Sequence, residues 1–146
     1  MQINIKTSGE NQAIVTQLTK KLTGGTKENV IARIALGYSL STGKRFTQQE
    51  FSAYDSQGKE YKDHILFDGQ YRDFYIALIC QAYGITKNDE LIPKYIKQHI
   101  DHGLEKINYL FENNPQYTFF DFLTEYFRKG IDMIEDTPER FDCVEN

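Results

Sequence analysis

The chain opens with an alternation of apolar and polar residues. Ile3 and Ile5 share one face of an extended segment, and Gln2, Asn4 and Lys6 share the other. A two-residue period is typical of a half-buried β-strand. The pattern therefore predicts a strand near the start of the chain.

Two helical patterns follow the predicted strand. Apolar residues recur every four positions from Ile14 to Leu22, which predicts an amphipathic helix. A Gly-Gly pair then interrupts the pattern, and Thr26 is placed to cap a second helix. This second helix has its own apolar face and is expected to end near Ser41.

A lone strand leaves backbone donors and acceptors unpaired. Pairing with the same strand of a second copy would give a ribbon-helix-helix arrangement, in which Gln2, Asn4 and Lys6 enter a DNA groove. The alternative is an ordinary edge strand followed by a helical hairpin. The pattern leaves both open.

The rest of the chain is predicted to be mainly helical. Residues 46–67 mix alternation with turn residues, which indicates a small hairpin or an ordered loop. Three further helices are expected, the second from about 88 to 113 and the third from Phe119 with a kink near Gly130. We expect a single domain over 1–146: a strand-helix-helix unit at 1–42, a hairpin or loop with a helical bundle at 43–136, and an acidic tail at 137–146.

The net charge of −4 is unevenly distributed. Residues 1–45 carry seven Lys or Arg against two acids, whereas residues 130–146 carry one Arg against six acids. Such a split indicates separate partners for the two ends, or shielding of one end by the other. The overall acidity argues against a dedicated high-affinity DNA-binding domain but permits a local basic patch.

The composition favours a cytoplasmic protein. No apolar run approaches the roughly 20 residues that cross a bilayer, and no secretory signal pattern is visible. Two cysteines do not make a disulfide framework.

Catalytic and metal-binding patterns are weak. His99 and His102 share a helix face, but a zinc site needs three or four ligands. Nucleotide-binding loops, nucleophile elbows and metal-spaced cysteine pairs are missing from the sequence. We therefore expect no enzyme activity, no catalytic residue, no cofactor and no metal.

Basic residues around the two N-terminal helices are the better candidates for a site. Lys20, Lys21 and Lys27 flank the turn that Thr26 closes, and a helix N-terminus beside lysines suits a phosphate group. Scattered solubilising lysines are the alternative. The dipeptide Lys44-Arg45 follows the second helix, where it either contacts phosphate or complements the helix dipole.

The segment from Leu18 to Leu40, LTKKLTGGTKENVIARIALGYSL, resembles the DndE family of DNA sulfur modification proteins. The later segments Gly58-Lys59-Glu60 and 99–104 (HIDHGL) are similar to the same family. The resemblance covers roughly residues 2–112 and ends before Phe119.

The resemblance implies a role in DNA phosphorothioation, in which sulfur replaces a non-bridging oxygen of the backbone. It implies a tetramer that binds nicked duplex DNA through lysines, alongside a sulfurtransferase-like and an ATPase-like protein. By analogy, Lys20, Lys21, Lys27 and Arg33 are candidates for phosphate contacts. The patterns described above add Lys6, Thr26, Lys44 and Arg45 to the candidate DNA-binding residues. The alternatives are a ribbon-helix-helix regulator and an assembly protein without direct DNA contact.

Overall fold

The computed structural model describes residues 1–23 and 27–135, and its architecture is mainly helical, as predicted. Two short strands and six α-helices follow one another along the chain, with a 3-10 helix at Gln48–Ser52. In order they are β1 (Ile5–Lys6), α1 (Gly9–Thr23), α2 (Glu28–Ser41), β2 (Glu60–Tyr61), α3 (Asp63–Leu66), α4 (Arg72–Tyr83), α5 (Ile92–Glu112) and α6 (Phe119–Glu135).

The first strand finds its partner within the chain. β1 pairs antiparallel with β2, with Ile5 opposite Tyr61 and Lys6 opposite Glu60. The pairing continues beyond the strands, where the Gly58 amide donates to the Thr7 carbonyl at 2.8 Å. The strand therefore does not require a second copy for pairing. Of the two alternatives for 46–67, the structure shows the ordered loop: the segment contains the 3-10 helix, and its strand β2 pairs with β1.

Helix α5 is the centre of the fold. It packs against α1, α2, α4 and β1, and its apolar side is fully buried from Ile92 to Ile107. Gly103 allows the closest approach, because a Cβ there would lie 1.9 Å from the Ala35 carbonyl oxygen of α2. A single apolar cluster extends from Ile3, just before β1, to Phe122 in α6.

Two helix boundaries coincide with residues that commonly begin or end helices. α5 has Pro93 in its first turn, where the missing amide costs nothing. α4 ends at Gly84, which adopts the left-handed conformation with φ of 62°.

Other details of the helices differ from the sequence-based expectations. α6 is a single helix to Glu135 rather than one kinked near Gly130, because an isolated glycine is tolerated within a helix. The four-residue α3 was not expected. The acidic tail at 137–146 lies outside the described residues. Among the described helices, none combines the length and apolar character needed to cross a bilayer.

Candidate nucleic-acid interface

Three lysines lie where α1 ends and α2 begins. Lys20 and Lys21 occupy the last turn of α1, and Lys27 occupies the N-cap position of α2. All three side chains are exposed, and none has an acidic partner within residues 1–23 and 27–135. Thr26, the predicted cap, lies outside the described residues. We call Lys20, Lys21 and Lys27 the α1–α2 corner.

An acidic residue beside this corner, Glu28, is already paired with a cation. Glu28, in the first turn of α2, forms an ion pair with Lys59 and accepts a hydrogen bond from the Thr16 hydroxyl at 3.2 Å. These contacts join α1, α2 and the segment before β2. Lys59 was not among the predicted site residues, because only the fold brings it to Glu28. Because Lys59 pairs with Glu28, the three lysines of the corner keep their positive charge. The same contacts hold α1 and α2 in place beside the corner.

Lys6 lies elsewhere on the surface. It is exposed on β1, and its register partner is the exposed acid Glu60. The neighbouring Asn4, also part of the predicted outward set, uses its amide oxygen to accept the Asp63 backbone amide at 3.2 Å. β1 thus offers fewer free polar groups than the sequence pattern indicated.

Arg33 makes contacts with other parts of its own chain. Its guanidinium donates to the Leu66 carbonyl oxygen at 2.7 Å and lies 4.8 Å from the centre of the Tyr71 ring. These contacts connect α2 to α3 and to the start of α4. These contacts give Arg33 a structural role, and its phosphate contact stays a prediction.

Lys44 and Arg45 are also engaged in this conformation. Lys44 pairs with Glu50 at 2.9 Å. Arg45 donates to the carbonyl oxygens of Leu40 at 3.4 Å and Ala82 at 3.3 Å, near the C-terminal ends of α2 and α4. The helix-terminus alternative describes Arg45 well, because its charge lies among carbonyls that carry partial negative charge.

The two histidines of α5 belong to a buried hydrogen-bond chain. The Tyr83 hydroxyl lies 2.6 Å from His99 Nε2, and the Ser39 hydroxyl lies 2.7 Å from Nδ1 of both His99 and His102. Tyr83 also accepts the Phe46 amide at 2.9 Å. Each of the three side-chain bonds has one donor and one acceptor when the bonds point in one direction. Tyr83 then donates to His99, His99 donates to Ser39, and Ser39 donates to His102.

This direction requires neutral imidazoles, and the surroundings favour them. Burial, followed by electrostatic interactions with Arg45, His102 and Lys44, lowers the pKa of His99 to about 3. Burial likewise lowers the pKa of His102, with Lys106 and Lys44 adding to the effect. The histidines therefore join α2, α4 and α5 as neutral hydrogen-bonding groups.

A second buried network surrounds Asp101, which is fully enclosed. Its carboxylate pairs with Lys97 and accepts the Ser8 amide at 3.0 Å and the Asn11 side-chain amide at 2.8 Å. Lys97 also donates to the Asp55 carbonyl oxygen at 2.8 Å. The ion pair and its hydrogen bonds hold the start of α1 and the loop around Asp55 against α5.

The segment 99–104 therefore has a structural explanation. Its histidines bond to Ser39 and Tyr83, and its Asp101 pairs with Lys97. Within the described part of the chain, no group of three or more His, Cys, Asp or Glu is placed to hold a metal ion. Ser39 and Tyr83 were missed because each lies in an apolar run that carries no separate signal.

A comparison with known protein families gives a match over the part of the chain that contains these residues. The family model described as DNA sulphur modification protein DndE matches residues 4–114, which is more than half of the chain. No curated protein gives a significant match. The matched range includes the α1–α2 corner, both buried networks and the Gly58 and Gly103 contacts, and it stops before α6. The chain belongs to the DNA sulphur modification protein DndE family.

Proposed function

We propose that this protein is a non-catalytic subunit of the DNA phosphorothioation machinery that contacts the phosphate backbone of duplex DNA. Its family is assigned to DNA sulphur modification. The observation that supports backbone contact is the α1–α2 corner, where three exposed lysines lack acidic partners among the described residues. Phosphate contacts of this kind give affinity and position without reading base sequence.

Nicked duplex is the preferred form of DNA in this proposal. A single corner supplies few charges, so binding gains when several corners meet the same duplex. A nick makes the duplex easier to bend onto such an array because it removes the continuity of one strand. The protein then acts as a homo-oligomer, a tetramer in our proposal, beside the sulfurtransferase-like and ATPase-like proteins of the same system.

Fluorescence anisotropy with a labelled duplex tests backbone contact. The variant Lys20→Gln/Lys21→Gln/Lys27→Gln removes the corner. Its matched control, Lys62→Gln/Lys87→Gln/Lys106→Gln, removes three exposed lysines from other surfaces and has the same net charge. We expect the corner variant to lose roughly tenfold or more in affinity at moderate salt. The control variant should bind nearly as well as the wild type.

Two further measurements refine the test. Intact and nicked duplexes of identical sequence measure the preference for a nick, which should disappear in the corner variant. Shuffling the duplex sequence should leave affinity unchanged, whereas a large sequence preference would favour the regulator alternative. Equal affinity of the wild type, the corner variant and the control would contradict backbone contact at the corner. Absence of DNA binding by all three proteins would favour an assembly protein without direct DNA contact.

A further inference from the structure

Helix α6 buries one side and exposes an apolar stripe on another. Phe122 is 1% exposed and packs against the rings of Tyr38 and Phe111, which fixes the helix on the body of the protein. By contrast, Phe120 is 76% exposed and Phe127 is 61% exposed. Large exposed apolar surfaces on a folded protein usually mark an interaction site.

The exposed stripe contains both a projection and a recess. Phe127, Gly130, Ile131 and Ile134 occupy positions i, i+3, i+4 and i+7 of the helix, and they line a largely apolar groove of about 720 Å³. Four residues at this spacing form the hole that receives a side chain in knobs-into-holes packing. Gly130 deepens the hole, because a Cβ there would meet no atom within 4 Å. Phe120 projects from the same face about two to three turns earlier.

We propose that α6 pairs in antiparallel orientation with α6 of a second copy, with Phe120 of each chain seated in the hole around Gly130 of the other. The twofold arrangement uses one knob and one hole from each chain, so both are filled in a single contact. The pairing is centred near Glu125. It follows from the spacing on this helix, which lies outside the segment shared with the family.

Charge at the edge of the stripe agrees with this occupant. Arg128 follows Asp121 by seven residues, so the two side chains lie on the same flank of α6. Antiparallel pairing brings Asp121 of one chain toward Arg128 of the other, and the symmetry repeats the contact. A parallel pairing would instead place this flank of the two helices on opposite sides of the contact, where Asp121 of one chain could not meet Arg128 of the other.

This inference rests on the oligomer in the proposed function and names its contact surface. Size-exclusion chromatography with light scattering of the full chain tests it without DNA. The wild type should have at least twice the mass of one chain. Phe120→Ser removes the knob and Gly130→Leu fills the hole, and each should reduce the mass by half or more. Phe74→Ser, which removes an exposed Phe of α4, is the matched control and should leave the mass unchanged.

Gly130→Leu keeps the test valid even if Phe120→Ser were to unfold, because open space surrounds Gly130. A monomeric wild type would overturn the pairing, as would unchanged mass in both folded α6 variants. Neither result would contradict backbone contact, which the lysine variants measure separately. Conversely, loss of the oligomer in the α6 variants alongside corner-independent DNA binding would support the pairing and contradict the proposed function.

Discussion

Gly103 of α5 lies against the main chain of Ala35 in α2, and a Cβ at position 103 would be 1.9 Å from the Ala35 carbonyl oxygen. The obstacle is backbone rather than a flexible side chain, so relief requires the two helices to separate. We expect Gly103→Ala to lower the free energy of unfolding by about 3 kcal/mol, at the upper end of the usual cost of overpacking. Urea unfolding followed by circular dichroism measures the change.

Gly37→Ala is the matched control for this substitution. Gly37 also lies within α2, but a Cβ there would meet its nearest atom, the Tyr126 hydroxyl oxygen, at an ordinary 3.5 Å. Alanine should therefore stabilise the helix by about 0.5–1 kcal/mol through its better helix propensity. Equal effects of the two substitutions would contradict the proposed helix contact.

The enclosed carboxylate of Asp101 gives a second prediction. Asp101→Asn leaves Lys97 buried without its counter-charge, and breaking a buried pair in this way costs about 3–5 kcal/mol. Thermal or chemical unfolding measures the loss. Asp132→Asn, at an exposed position on α6, should change stability by less than about 0.5 kcal/mol. A tolerated Asp101→Asn would show that the network contributes little.

Stability should fall in mild acid because His99 resists protonation. Its pKa is lowered from 6.5 to about 3 in the folded protein, so between these pH values the unfolded chain binds a proton that the folded chain does not. The stabilisation is complete above pH 6.5 and declines as the pH falls. Lowering the pH from 7 to 5 should cost about 2 kcal/mol from this residue.

Unfolding of the wild type and His99→Gln across this pH range isolates the effect. The variant lowers stability at neutral pH by removing buried hydrogen bonds, but it should lose about 2 kcal/mol less than the wild type between pH 7 and 5. Carboxylates contribute equally to both proteins and cancel in the comparison. Parallel pH profiles would show that His99 is protonated in the folded state.

Arg33 separates structural from DNA-binding cations. Because its guanidinium joins Leu66 and Tyr71, Arg33→Gln should reduce stability by about 1–3 kcal/mol while the folded variant keeps its DNA affinity. Chemical unfolding and fluorescence anisotropy give the two values. A large loss of affinity with unchanged stability would restore the phosphate contact that the sequence resemblance implied.

Local patterns predicted the helices well but not the partners of their polar residues. α5 is marked by apolar spacing and by Pro93 in its first turn, and the end of α4 is marked by Gly84. These signals can be read from the sequence because amphipathicity and capping are local properties. The pairing of Lys59 with Glu28 spans 31 residues and leaves no periodic trace. The hairpin alternative for 46–67 would pair β2 with a strand close to it in sequence. In the fold β2 pairs instead with the distant strand β1.

The candidate site was only partly predictable for the same reason. Lys20, Lys21 and Lys27 stood out because they flank a turn, and the structure leaves them exposed. Arg33 and Arg45 carry the same charge, but distant carbonyl groups use their donors. Sequence reveals where cations occur, whereas the fold decides which of them remain available to a polyanion.

The salt dependence of DNA binding tests the central claim most directly. The affinities of the wild type, the Lys20/Lys21/Lys27 variant and the Lys62/Lys87/Lys106 control should be measured from low to moderate salt. If each corner lysine contacts one phosphate, the logarithmic slope of the variant should be shallower by about 3 per bound chain, and that of the control unchanged. Binding that does not weaken with salt, or equal slopes for the wild type and the corner variant, would contradict phosphate contact at the α1–α2 corner.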